Sequence, residues 1–165
     1  VYNKTKIQRE NGKLVGIIGG DHSVPLGYLK ALAEKYEDFG ILQIDAHLDL
    51  RNSYEGFSYS HASIFYNALK IEEISKLVQV GIRDYCEEEV QKTKIEEDRV
   101  VGFYDQQLKE NRFAGINWSI QCDKIVSELP EHVYISFDID GLNPTLCPET
   151  GTPVPGGLAL SLLPI

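Results

Sequence analysis

The sequence is poor in sulfur: its 165 residues include no methionine and only three cysteines. Cys86, Cys122 and Cys147 are odd in number and form no CxxC pair, which argues against a disulfide framework and against a zinc knuckle. A reducing compartment is therefore expected. Because the chain opens at Val1 and lacks methionine throughout, we also expect it to be a piece of a longer protein.

Long apolar runs are missing as well. No uninterrupted stretch approaches the roughly 18 apolar residues that a membrane helix needs, and the polar opening VYNKTKIQRENGK is unlike a signal peptide. We therefore expect a soluble, cytoplasmic protein with no membrane partner.

Positive charge is scarce, with 16 basic against 25 acidic residues and a net charge of −9. This balance disfavours a nucleic-acid partner and mildly favours small cationic ligands.

Short apolar, β-branched runs alternate with stretches of helical period, a pattern typical of βαβ units and a parallel sheet. Its length and pattern predict a single domain over residues 1–165, of α/β class, with a three-layer, doubly wound parallel sheet that is only partly present. The predicted strands cover 14–18, 40–45, 77–82, 100–104 and 132–138. The predicted helices cover 25–36, 61–69, 85–97 and 118–129. Runs such as ILQID and VYISFDID are apolar enough to be buried on both faces.

A tract rich in proline and glycine, residues 143–157, follows the last predicted strand. Its composition excludes regular structure and indicates a shaped loop. Open α/β sheets bind their ligands at the carboxyl ends of the strands, so this edge is where chemistry is expected.

The first candidate cluster is GGDHS at residues 19–23, between a predicted strand and a predicted helix. It is neither a dinucleotide-binding fingerprint nor a phosphate-binding loop. Asp21 or Ser23 could simply cap the following helix. His22 gains interest from the clusters that follow.

The second cluster is Asp45, His47 and Asp49, at the end of an apolar strand. If extended geometry continues, a period of two places all three side chains on one face. Buried carboxylates are costly unless they are paired, hydrogen-bonded or bound to a cation. The alternative to a metal site is an ion-pair network with Arg51 or Arg83.

The third cluster, Asp138 and Asp140, repeats this spacing at the end of another apolar strand, with Ser136 on the same face. The three clusters supply four carboxylates and two imidazoles. That set suits two Mn²⁺ or similar ions better than a structural zinc. Metal-assisted hydrolysis is the reaction class that follows.

Four motifs together resemble the ureohydrolase family, which contains arginase, agmatinase and formimidoylglutamase: GGDHS, DAHLDLR, SFDIDGLNP and TGTPVPGG. The resemblance implies an arginase-like or deacetylase-like α/β fold, two Mn²⁺ per chain, a guanidino or formimino substrate, and assembly into trimers or hexamers. It spans nearly the whole chain, but only the middle of a family member.

The resemblance also implies roles for individual residues. The first ion would be held by His22, Asp45, Asp49 and Asp138. The second would be held by His47, Asp45, Asp138 and Asp140. Asp49 would orient the attacking water. His61 would move a proton near the departing amine, unless it is a helix-start histidine bonded to a backbone group.

Departures from the family pattern bear on the substrate. Cys86 stands where arginase carries an acid for the substrate's α-amino group, which favours a decarboxylated substrate such as agmatine. The family's guanidinium-holding glutamate lies beyond this chain. A formimidoylglutamate or arginine hydrolase, or a non-catalytic metal-binding fragment or paralogue, stays open as an alternative.

Several further residues have simpler interpretations. Arg83 and Asp84 are expected to form a structural pair at a strand end. Tyr54, Phe57 and Tyr59 could line a substrate entrance or pack on the surface.

Overall fold

A computed structural model describes residues 1–162. Its centre is a four-stranded, all-parallel sheet with helices, which confirms the predicted α/β class. The strands are β1 (Phe39–Ile44), β2 (Ile74–Ile82), β3 (Val100–Tyr104) and β4 (Val133–Phe137), and they lie side by side in the order β3-β2-β1-β4.

Six helices connect or precede the strands. They are α1 (Tyr2–Glu10), α2 (Pro25–Ala33), α3 (Ile64–Ala68), α4 (Glu87–Ile95), α5 (Asp105–Phe113) and α6 (Trp118–Val126). Short 3₁₀ turns cover His61–Ser63, Ile139–Gly141 and Leu160–Leu162. In the described part of the chain, none of the helices is both long and apolar enough to cross a membrane.

The central strand β1 is covered on both faces, each by its own core cluster. Alternate residues of a strand point to opposite sides of the sheet. On β1, Ile41 belongs to a core cluster with Leu29 of α2 and Phe65 of α3. Its neighbour Leu42 belongs to a second cluster, which includes residues of α5 and α6. All six residues of β1 are buried, as expected for a central parallel strand.

The strand expected at 14–18 is absent, so that prediction is wrong. Leu14 and Ile18 are fully exposed, and within residues 1–162 no strand pairs with this segment. The carbonyl of Val15 accepts a hydrogen bond from the Tyr28 hydroxyl at 2.8 Å, and Val15 and Ile17 are half-buried. An apolar run becomes a strand only where a ladder partner lies beside it, and this segment has none in the described chain.

The expectation that β4 is buried on both faces is also wrong. Val133, Ile135 and Phe137 are 39%, 62% and 44% exposed, whereas Ser136 between them is buried. β4 is the outer strand next to β1, so one of its faces lacks a covering helix among the described elements.

Two helices have no counterpart in the predicted set. Helix α1 forms within the polar opening and packs on α2, where Thr5 becomes buried. Helix α5 begins at Asp105, the residue directly after the last residue of β3, so no turn residues mark its start.

Candidate metal centre

The candidate site lies where two neighbouring central strands end. Asp45 follows the last residue of β1, and Asp138 follows the last residue of β4. These strands pair in parallel, so their carboxyl ends meet at the same edge of the sheet. The turn that holds His22 lies over this edge, because its imidazole contacts Asp45 and Asp138.

The segment after β1 keeps the predicted alternation of buried apolar and acidic side chains. Leu48 and Leu50 are fully buried in the first core cluster. Asp45, His47 and Asp49 project away from that core into the site. The geometry is not that of a continued strand, because Asp49 has a φ of 53°, in the left-handed region that non-glycine residues rarely adopt.

The segment after β4 departs from the predicted extended face. The chain turns at Ile139–Gly141, and the Asp138 carboxylate accepts a hydrogen bond from the Asp140 amide at 3.0 Å. The turn carries Asp140 over the end of β1, where its Oδ1 accepts from the Ala46 amide at 3.1 Å. A 3₁₀ turn capped by the Asp138 side chain thus takes the place of the predicted strand extension, and both Asp138 and Asp140 still reach the site.

The structure brings the predicted ligands into two adjacent groups. His22, Asp45 and Asp138 form one group, and Asp45, His47 and Asp140 form the other. Within each group the candidate ligand atoms lie within 4.8 Å of one another. Asp45 belongs to both groups, and its side chain is almost completely buried. Each group could hold a metal ion.

The imidazole of His22 shows most directly that these residues fit a cation. Its Nδ1 is buried and has no hydrogen-bond partner within residues 1–162. Carboxylate oxygens lie close to it, at 2.9 Å for Asp49, 3.1 Å for Asp45 and 3.5 Å for Asp138. Its other nitrogen, Nε2, lies 2.8 Å from the Ser136 hydroxyl, which fixes the ring. A histidine held by one nitrogen and directing the other at carboxylates is typical of metal sites.

His47 is placed in the same way in the second group. Its Nδ1 lies 3.1 Å from Asp140 Oδ2 and 3.4 Å from Asp45 Oδ1. On the opposite side of the ring, Nε2 lies 3.6 Å from the exposed carboxylate of Asp84. The Thr152 hydroxyl donates to Asp140 Oδ2 at 3.0 Å.

The protonation equilibria reflect four carboxylates and two imidazoles in a confined space. Burial alone lowers the pKa of each histidine, but the adjacent carboxylates outweigh it and raise the pKa of His22 and of His47 to about 10. Burial raises the pKa of Asp49 to about 7, with His22 opposing the shift. For Asp45, burial is outweighed by the two histidines, which lower its pKa. In the absence of a metal ion, the positive charge of the site is therefore carried by protonated His22 and His47.

A half-open cleft of about 450 Å³ leads to these residues. His61 starts the 3₁₀ turn at its rim and lines the cleft, as does Tyr54, whose ring packs edge-on against the imidazole at 5.4 Å. Phe57 and Tyr59 are 69% exposed and do not line it. Of the three aromatic residues considered for an entrance, only Tyr54 has that position.

The basic residues near the site have partners other than the clustered acids. The expected Arg83–Asp84 pair does not form: the Arg83 guanidinium donates to backbone carbonyls, including that of Asp140 at 2.6 Å. The nearest carboxylate to Arg51 is that of Glu89, at 3.7 Å. The arginine-based ion-pair network therefore finds no support in these contacts.

Sequence reasoning overlooked the residues that hold the site from behind. Gln43 and Gln79 are fully buried, and the Gln43 amide contacts Asp45. Glu89, also buried, accepts hydrogen bonds from the amides of Leu50 and Cys86 and so ties the segment after β1 to α4. A glutamine inside an apolar run of each of two strands was the available signal.

Comparisons with known proteins are consistent across sequence and structure. A family model described as "Arginase family" matches residues 1–163. An N(1)-aminopropylagmatine ureohydrolase of Thermus thermophilus is 39% identical over 148 residues, covering 90% of this chain and 47% of the relative. An agmatinase of Pyrococcus horikoshii is 37% identical, covering 86% of this chain and 44% of the relative. The crystal structure of agmatine ureohydrolase of Thermoplasma volcanium matches with a TM-score of 0.82 and 29% identity, covering 98% and 51% of the two chains. The chain spans about half the length of the curated relatives it matches.

Proposed function

The chain belongs to the arginase family, and from this premise we propose that its two ligand groups bind two Mn²⁺ ions and serve the hydrolysis of a linear guanidino compound to urea and an amine. The observation that carries the proposal is the buried Nδ1 of His22, which faces three carboxylates without a hydrogen-bond partner in the described chain.

The two groups divide the ligands between the ions. His22 and Asp49 would hold one ion and His47 and Asp140 the other, and Asp45 and Asp138 would serve both. The groups themselves have Asp45 in common, Asp138 lies in the first, and Asp49 joins the first through its contact with His22. Asp45 already directs Oδ2 toward His22 and Oδ1 toward His47. Oxygen-rich sites of this kind suit Mn²⁺, because hard carboxylate ligands outnumber the imidazoles and no thiolate is present in either group.

When bound, the ions would make a water molecule acidic near neutral pH and polarise the carbon that it attacks. Burial raises the pKa of Asp49 to about 7, and its carboxylate lies 2.9 Å from His22 Nδ1. We assign to it the hydrogen bond that orients the attacking water. His61, at the rim of the cleft, gives a proton to the departing amine.

The substrate class follows from the charge around the cleft. Asp21, Asp84 and Glu89 line it in addition to the ligand groups, and the chain has a net charge of −9. Such a cleft attracts cations, and a guanidinium compound with a second amine fits it better than an amino acid with a free carboxylate. The relatives named agmatinase and aminopropylagmatine ureohydrolase are in keeping with agmatine or an agmatine derivative as substrate.

Metal content and urea release together test the proposal. After Mn²⁺ loading and removal of free metal, elemental analysis should find about two Mn per chain, and the chain should release urea from agmatine but not from arginine. Substituting Asp49→Asn should lower the turnover rate by about 10²- to 10⁴-fold, because the carboxylate that orients the attacking water is lost. Asp123→Asn on α6, exposed and outside both groups and the cleft, is the matched control and should turn over at the unaltered rate.

The possible outcomes separate the parts of the proposal. Absence of bound Mn would contradict the metal site itself. Two bound Mn without urea from agmatine, arginine or guanidinobutyrate would leave the site intact and overturn the hydrolytic function of this chain in favour of a metal-binding role.

A further inference from the structure

The interior behind the metal site contains two glutamines in register. Gln43 on β1 and Gln79 on β2 are paired residues of the parallel ladder. Both are 0% exposed, in strands whose other central residues are apolar. Buried amides need partners, and the partners of this pair lead toward the site.

The hydrogen bonds form a chain in which Gln79 donates to Gln43 and Gln43 donates to Asp45. The Gln43 amide nitrogen donates to Asp45 Oδ2 at 2.8 Å and to the His47 carbonyl at 2.9 Å. The Gln43 side-chain oxygen accepts from the Gln79 amide nitrogen at 2.5 Å, and that nitrogen also donates to the Leu48 carbonyl at 2.8 Å. The orientation is fixed, because a carboxylate and a carbonyl can only accept and Gln43 must present its NH₂ to both.

Both oxygens of the Asp45 carboxylate therefore accept a hydrogen bond. Gln43 donates to Oδ2, and the backbone amide of His47 donates to Oδ1 at 2.8 Å. The same two oxygens face His22 and His47, one for each ligand group. Rotation of this carboxylate would disturb both groups, since Asp45 belongs to each of them.

We propose that Gln43, supported by Gln79, is the positioning residue that holds Asp45 in its shared orientation and so sets the affinity of both metal sites at once. The inference rests on the proposed function, because it presupposes that the two groups bind metal. Gln43 is in neither ligand group and does not line the cleft, so it would act on the metal sites only through Asp45.

Variants that remove hydrogen bonds behind one group or behind both distinguish this role from general stability. Gln43→Met keeps a long side chain of similar shape and removes both donors to the site. Thr152→Val is nearly isosteric and removes only the donor to Asp140 Oδ2, which belongs to one group. Ser136→Ala removes only the contact to His22 Nε2, which belongs to the other.

The experiment is titration of the metal-free chain with Mn²⁺ by calorimetry, with folding checked by circular dichroism. Gln43→Met should weaken both Mn²⁺ sites by about tenfold or more, the usual effect of removing a hydrogen bond behind a ligand. Thr152→Val and Ser136→Ala should each weaken one site and leave the other within about twofold of its original affinity.

Gln79→Met provides the second variant. It leaves the Gln43 donors in place and removes the Gln79 amide, whose nitrogen supports Gln43 Oε1 and the Leu48 carbonyl and whose Oε1 has no partner in the described residues. It should weaken both sites in the same direction as Gln43→Met, by a smaller factor. If Gln43→Met folds and binds two Mn²⁺ with unchanged affinity, the inference is overturned. If Gln43→Met does not fold, unchanged affinities in Gln79→Met overturn it. A failure of the unsubstituted chain to bind Mn²⁺ would instead count against the proposed function.

Discussion

Each residue of the site has a charge state that depends on its neighbours. His22 and His47 are flanked by carboxylates, and their pKa values rise to about 10, while burial raises the pKa of Asp49 to about 7. Protonated imidazoles take the place of cations in the metal-free chain. A metal ion that binds here must displace those protons.

Proton release is the resulting prediction. At pH 7 both imidazoles are protonated and Asp49 is about half protonated, so binding of two Mn²⁺ should release roughly two to three protons per chain. Calorimetry in two buffers of different ionisation enthalpy measures this number. Heats that do not depend on the buffer would contradict the predicted protonation of the site.

The same pKa values fix the pH dependence of the metal-free fold. A histidine with a raised pKa stabilises the folded state fully below its unfolded value of about 6.5, and this contribution disappears as the pH rises toward 10. The raised pKa of Asp49 acts in the same direction between about pH 4 and pH 7. Urea unfolding of the metal-free chain should therefore give a lower midpoint at pH 9 than at pH 6.

At the scale of elements, the turn Ile139–Gly141 joins the two halves of the site. Gly141 sits against the backbone of β1's end: a Cβ at this position would lie 2.9 Å from the Asp45 amide nitrogen and 3.1 Å from its Cα. Backbone cannot yield as a flexible side chain can. The close approach that brings Asp138 and Asp140 to Asp45 thus requires a residue without a Cβ at position 141.

Gly141→Ala should destabilise the fold by about 1–3 kcal/mol, the usual cost of forcing an extra methyl group into a packed site. It should also reduce Mn²⁺ binding, since the turn must move away from Asp45. Gly151→Ala is the matched control, because a Cβ there would meet no atom within 4 Å. Urea midpoints and Mn content measure both effects, and equal stability of the two variants would contradict the prediction.

The elements show what could be predicted from the sequence. The four strands that form lie within one or two residues of the predicted ones at nearly every end, apart from β2, which begins three residues earlier, because apolar runs and buried strands coincide in a parallel sheet. Residues 14–18 have the same composition yet form no strand, because pairing depends on distant partners that local pattern does not encode. Helix α1 was missed because its sequence is mostly polar and its burial is limited to Thr5.

The site was predictable for a different reason. A spacing of two between acids at a strand end places their side chains on one side, even though a left-handed residue and a 3₁₀ turn replaced the expected strand geometry. The residues behind the ligands were not foreseen, because the orientation of Gln43 depends on a neighbouring strand. The roles of the six ligands and of His61 stay predictions.

At the scale of the whole molecule, metal binding and folding are linked. Asp45 and Asp49 are buried and close together, so a bound cation favours the folded chain over the unfolded one. Free Mn²⁺ at 100 times its dissociation constant adds about 2.7 kcal/mol of stability per site. For a chain of this size that corresponds to a rise of roughly 5–10 °C in Tm.

Thermal unfolding with and without Mn²⁺ tests this linkage. The rise should reverse with a chelator and persist in Asp123→Asn. It should be absent in Asp45→Asn, because that residue belongs to both groups. An equal rise in Asp45→Asn would show that Mn²⁺ stabilises the chain from somewhere else.

The left-handed backbone of Asp49 has an evolutionary consequence. At a φ of 53°, glycine would have less backbone strain than aspartate. Glycine or asparagine would also remove one carboxylate from a crowded set of acids. Selection for foldability alone would therefore not favour this aspartate over glycine. Its retention would mark a lineage still under selection for the chemistry, and drift to glycine or asparagine would mark one that has given it up.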